Sequence, residues 1–209
     1  FITDLQEKFQ TVGIEVKNSN LGQLPETTWF HYPSDYLGDI VHSLNVRSDN
    51  LYAESVLRLL SLSDHEKGSA EKGIDIIRKY WQNYEADSLE LFMYDGSGLA
   101  RNNKVSAKYL NCVLKETARD SLIGEYFVQT LPLAGKEGSV ATFMKHGELP
   151  GELRLKSGSM SDVHAYAGYY TTPQNRYAIV VMINNYTCTR AQLKQKISTL
   201  LTQVLSKKE

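Results

Sequence analysis

Two short stretches of the chain gather groups that can do chemistry. One is Glu152-Leu-Arg-Leu-Lys156-Ser157-Gly158-Ser159-Met160-Ser161. It reads as a strand that carries an ammonium, then a hydroxyl, a glycine and a second hydroxyl. Lys156 sets a positive charge at the strand edge, Ser157 and Ser159 offer hydroxyl donors, and Gly158 lets a ligand approach the backbone. Such an edge suits a carboxylate, or the carbonyl of an acyl group under attack. The other stretch is Ser48-Asp49-Asn50, a hydroxyl, a carboxylate and an amide in succession. Each has a plain structural alternative. Lys-Ser-Gly occurs in surface turns, a strand-edge lysine blunts edge pairing, and Ser, Asp and Asn are all good helix N-caps.

The surrounding pattern shows what must position these groups. Ile2, Leu5, Phe9 and Val12 recur at helical spacing, and Gly13 ends that helix. Ile14 to Val16 alternates like a short strand, and residues 18–29 read as loop. Pro33-Ser34-Asp35 reads as a helix start, followed by an apolar stripe of Tyr36, Leu37, Ile40, Val41 and Leu44. Residues 47–50 interrupt it, and a second helix follows with Tyr52, Ala53, Val56, Leu57, Leu59 and Leu60 apolar. Ser48, Asp49 and Asn50 therefore fall at a helix junction. A third helix over residues 69–84 is expected to bury Ile74, Ile77, Tyr80, Trp81 and Tyr84. A strand over residues 89–94 runs into Asp95-Gly-Ser-Gly-Leu99, a turn that needs its glycines. Residues 105–117 read as helix, 121–128 as a short helical turn and 132–138 as loop. Residues 152–157, 163–171 and 176–184 are three successive strands, with Pro173-Gln174-Asn175 turning the last two into a hairpin. Short connections demand antiparallel pairing. A closing helix over residues 190–205 places Leu193, Ile197, Leu200, Leu201 and Val204 on one face. The pattern predicts an α+β domain, an antiparallel sheet flanked by helices.

Composition narrows the function. The 209 residues are 42% hydrophobic and 22% charged, with a formal net charge of -1. That balance gives no electrostatic case for nucleic acid or an anionic membrane. The longest apolar run, Tyr177 to Ile183, is strand-sized, not a membrane span. His31, His42, His65, His146 and His164 show no ligand spacing, so no metal or other cofactor is expected. Cys112 and Cys188 could pair or remain thiols. Phe1 stands where an initiator methionine would, which implies a true beginning outside these residues.

Five stretches together carry a family resemblance: Arg47-Ser-Asp-Asn-Leu-Tyr-Ala-Glu54, Asp95 to Asn103, Leu131-Pro-Leu-Ala-Gly135, Arg154 to Ser159 with Ala167-Gly-Tyr169, and Asn184-Asn185 after the last strand. In order and spacing the chain resembles the C-terminal part of the D-alanyl-D-alanine carboxypeptidase/endopeptidase group of class C, low-molecular-mass penicillin-binding proteins, the DacB type. Lys156-Ser-Gly158 stands in place of the commoner Lys-Thr-Gly and keeps the hydroxyl. The resemblance implies a β-lactamase/transpeptidase-like fold, incomplete here. Residues 1–209 would be the C-terminal part of one penicillin-binding domain. It also implies a location in the periplasm or otherwise outside the cytoplasm.

The family's nucleophile lies in a Ser-x-x-Lys motif ahead of Ser-Asp-Asn, with accessory domains inserted between them. The match in this chain, Ser69-Ala-Glu-Lys72, comes after Ser-Asp-Asn and reads as a helix cap with a solvated lysine. A nucleophile upstream of Phe1 is therefore expected, and the 209 residues alone are expected to be inactive. By resemblance Ser48 would relay a proton to the leaving amine. Asn50 would hold the substrate amide and help position the catalytic lysine. Lys156 would supply charge near Ser48 and the terminal carboxylate. Ser157 and Ser159 would bind that carboxylate beside Gly158, and the Ser159 N–H would form half of an oxyanion hole. Asp95, Ser97 and Arg101 read as structural. The implied ligands are a peptidoglycan stem peptide or a β-lactam. Self-association, or pairing with the missing segment, is the expected partner behaviour. A serine β-lactamase and a non-catalytic binder of cell-wall peptide are the alternatives.

Overall fold

The computed structural model describes residues 7, 9–13, 33–63, 67–84, 90–144 and 149–207. The chain divides into two units, Phe1–Ser34 and Asp35–Glu209. In the first, a helical turn ends where Gly13 adopts φ 78° and its N–H donates to Gln10 O. The expected strand at residues 14–16 and the loop at 18–29 lie outside the described residues.

The second unit is built on β3 (Glu152–Met160), β4 (Val163–Thr171) and β5 (Arg176–Asn184), antiparallel and adjacent in that order. Register is continuous from Glu152↔Thr171 to Met160↔Val163, so β3 runs three residues beyond its expected end at Ser157. Side chains alternate across the sheet, and its two faces carry separate cores. On one face Leu155, Tyr166 and Tyr170 pack with Leu193, Ile197, Leu201 and Leu205 of the closing helix α6 (Arg190–Leu205). That helix opens on a capping box, with Thr189 and Gln192 satisfying each other's backbone N–H. Leu200 and Val204, expected on the buried face, are exposed: burial follows the i, i+4 row from Leu193 to Leu205 and leaves them on its flank. On the other face Tyr169 packs with Leu114, Val128 and Leu131. Its hydroxyl donates to Leu114 O at 2.7 Å, and burial raises its pKa.

Helices α1 (Leu37–Arg47) and α2 (Asn50–Leu59) meet at the Ser48–Asp49 junction. Next come α3 (Ala70–Trp81), the two-residue pair β1 (Leu91–Phe92) and β2 (Lys104–Val105), α4 (Ala107–Arg119) and α5 (Gly124–Thr130). Val105 thus pairs with Leu91 and does not start the following helix, whose cap is Ser106. The apolar stripes of α1 and α3 are only partly covered. Tyr36, Leu37, Tyr80 and Tyr84 are exposed, and the buried position in α1 is Asn45, whose amide donates to Thr130 Oγ1 at 3.0 Å. The rings at the end of α3 and just beyond it pack on one another: Tyr80, half-buried Trp81 and Tyr84 have centroids 5.1–5.5 Å apart. No disulfide joins Cys112 and Cys188. No helix among the described residues is long and apolar enough to cross a membrane.

Candidate active site

The junction of α1 and α2 presents Ser48. Ser48 closes α1 in the left-handed region at φ 56°, ψ 49°, and Asp49 caps α2 by accepting the Tyr52 N–H at 3.0 Å. Only Asp49 therefore does the capping that its three-residue stretch could have done. A serine held at positive φ costs on the order of 1–3 kcal/mol, where a glycine would relieve the strain. Its hydroxyl accepts a hydrogen bond from Lys156 Nζ at 2.7 Å, across 108 positions of sequence. The same ammonium donates to Ser157 O at 3.1 Å. Burial lowers the Lys156 pKa, because the charged form loses solvent there. Asn50 begins α2 and is exposed, and its side chain makes no hydrogen bond among the described residues.

The lysine projects from an edge strand that is only half covered. Leu133 bridges Arg154, Ala134 N–H donates to Leu153 O at 2.8 Å, and Leu155 N–H donates to Pro132 O at 3.0 Å. Leu153 and Leu155 thus turn their backbone groups outward, and by strand alternation so do Ser157 and Ser159. Beyond Leu155, neither outward N–H has a backbone partner among the described residues. Gly158 lies between them, on the same strand face as Lys156. A Cβ built there meets nothing within 4 Å, and its φ is not positive. Neither packing nor backbone conformation requires a glycine at this point. By contrast, a Cβ on Gly168 of β4 would sit 2.0 Å from Arg154 O.

Two supports escaped the sequence reading. Glu54 Oε1 accepts the N–H groups of Gly96 and Ser97, both at 3.0 Å, and fixes the Asp95–Leu99 turn on α2. Asp95 closes that turn by accepting Gly98 N–H and Ala100 N–H, with Gly98 at φ 78°. Glu54 stood four residues after Asn50 in the sequence as one more helical carboxylate, and no local signal points it at Gly96. The second support is Ser139, in a single 3₁₀ turn over Gly138–Val140, whose Oγ lies 2.7 Å from Ser157 Oγ. Ser69 caps α3 by accepting the Lys72 N–H at 3.2 Å, and Lys72 is exposed. His164 packs edge-on to Tyr166 in the core. The described residues hold no group of three or more His, Cys, Asp or Glu that could bind a metal.

This arrangement can hold an anion and polarise a carbonyl. The model of the D-Ala-D-Ala carboxypeptidase 3 (S13) family matches residues 1–207, and the chain belongs to that family. It is 26% identical over 206 residues to the D-alanyl-D-alanine carboxypeptidase DacB of Haemophilus influenzae, covering 94% of this chain and 42% of that protein. With the D-alanyl-D-alanine carboxypeptidase of Actinomadura sp. it shares 25% identity over 87% of this chain and 36% of the relative. The chain thus spans well under half the length of these relatives. The crystal structure of penicillin binding protein 4 (dacB) from Haemophilus influenzae shares its fold, with a TM-score of 0.76 at 24% identity, covering 98% of this chain and 48% of that one.

Proposed function

We propose that this S13-family chain supplies two of the three motifs of a penicillin-binding, serine-type D-Ala-D-Ala carboxypeptidase/endopeptidase. It would act on peptidoglycan stem peptides outside the cytoplasm. The observation that carries the reading is the 2.7 Å contact from Lys156 Nζ to Ser48 Oγ beside the open Ser157–Ser159 edge. A solvated cap or an edge-blunting lysine has no need of that pairing.

The nucleophilic serine and its lysine would come from protein outside these 209 residues, because the one Ser-x-x-Lys stretch here, Ser69–Lys72, follows Ser48–Asn50 where the family's motif precedes it, and it opens a helix. The nucleophile's oxygen bonds to the penultimate D-alanine carbonyl carbon, and the C–N bond to the last D-alanine breaks. Lys156 is a donor only, so Ser48 accepts from it and keeps its own proton for the departing nitrogen. A proton taken from the nucleophile replaces it. Ser157 and Ser159 hold the terminal carboxylate, with the Lys156 charge close by. The Ser159 N–H, turned to the open edge, faces the developing oxyanion. Asn50, whose side chain makes no hydrogen bond among the described residues, holds the substrate amide. Water then releases the acyl group.

The test is release of D-alanine from a peptide ending in D-Ala-D-Ala by the full-length natural protein, with and without benzylpenicillin. Release blocked by the antibiotic is expected. A protein that binds the peptide and releases nothing refutes the reading.

A further inference from the structure

We propose that Ser139 is a positioning residue for the ligand's carboxylate: its hydroxyl donates to Ser157 Oγ and leaves the Ser157 proton for the anion. The inference rests on the reading of Ser157 as a carboxylate-binding group.

The two oxygens are 2.7 Å apart, and either could donate. A hydroxyl carries one proton and two lone pairs. If Ser157 gives its proton to Ser139, it turns only lone pairs to an incoming anion and repels it. If Ser139 donates, Ser157 accepts one bond and offers its proton outward, and the first bond strengthens the second. A carboxylate at the open edge therefore selects the arrangement in which Ser139 donates.

The turn that carries Ser139 is held on both sides. Val140 is fully buried, and its carbonyl accepts the Gly135 N–H at 3.0 Å. Gly138 takes φ 51°, and a Cβ there would lie 2.3 Å from Val46 O, two residues before Ser48. The turn thus fits between the end of α1 and the outer edge of β3, and its hydroxyl is placed without a flexible stem. Ser139 itself is exposed and makes no other hydrogen bond among the described residues.

The experiment compares acylation of the full-length natural protein by benzylpenicillin and by its methyl ester, which lacks the anion. The variants are Ser139→Ala and Ser139→Thr. Ser139→Ala is expected to lower the second-order acylation rate about five- to tenfold for the acid, the worth of one hydrogen bond. The ester should change less than about twofold. Ser139→Thr, which keeps the hydroxyl, should restore the acid rate. An equal loss on acid and ester, or an unchanged acid rate, overturns the role given to Ser139. A wild-type protein with no preference for the acid removes the carboxylate reading of Ser157, and this inference with it.

Discussion

Replacing Gly158 by alanine separates function from stability. The new Cβ meets no protein atom within 4 Å and the backbone is not in the left-handed region, so the folded state gains no clash or strain. The unfolded chain loses freedom, and the change should stabilise by about 0.4–1 kcal/mol. For a domain of this size that is a rise of about 1–4 °C in melting temperature. The methyl group stands on the Lys156 face of β3, in the space the account reserves for a ligand. Acylation by benzylpenicillin should fall by at least about tenfold, the cost of a misplaced reacting group. Gly168→Ala is the control: its Cβ would press on Arg154 O at 2.0 Å, and the protein should lose about 3 kcal/mol or more. The assay pairs a thermal melt with the rate of covalent β-lactam labelling. A Gly158→Ala variant that labels at the wild-type rate, or melts well below it, refutes the assignment of that space to a ligand.

Ser48→Gly should leave stability within about 1 kcal/mol of wild type, because relief at φ 56° offsets the added chain entropy. Its acylation rate should fall about 10²- to 10⁴-fold, measured by the same labelling. The Lys156 ammonium is lost below its ordinary pKa of 10.5, so the alkaline limb of the acylation–pH profile should sit below 10.5 and vanish in Lys156→Met. His164 is 3% exposed, neither ring nitrogen has a hydrogen-bond partner among the described residues, and burial together with Lys194 and Arg190 lowers its pKa from 6.5. As pH falls below 6.5 the unfolded chain takes up a proton that the folded one resists, so stability is lost on the acid side. His164→Phe should flatten that loss in melts between about pH 5 and 7. Tyr169→Phe should cost about 1 kcal/mol in denaturant unfolding, because it removes a buried hydrogen bond to Leu114 O, a carbonyl whose helical position still gives it the Ala118 N–H.

The sheet was legible from local rules. Alternation gave β4 and β5 to the residue, and Pro173-Gln174-Asn175 gave their hairpin. The end of β3 was not legible, because Gly158, Ser159 and Met160 carry no apolar alternation and are held by pairing with Ala165, His164 and Val163. Burial in the helices was overstated for a related reason. Tyr80 and Tyr84 lie on an apolar stripe, and periodicity names a face without saying what covers it. Asn45 shows the converse: a polar side chain is buried because Thr130, 85 positions away, satisfies it. In the site, Ser48 and Lys156 were nameable from their motifs. Glu54 closes one of the quoted stretches, but its hold on Gly96 and Ser97 was not legible, and Ser139 was not nameable at all, since their partners are brought near only by the fold.

The central claim is a penicillin-binding site completed by a nucleophile outside these 209 residues. Intact-mass spectrometry with benzylpenicillin tests it most directly, on the 209-residue chain and on the full-length natural protein. The account predicts a stable adduct on the full-length protein, on a serine of an upstream Ser-x-x-Lys motif, and no adduct on the 209 residues. An adduct on the 209-residue chain, or none on the full-length protein, would contradict it.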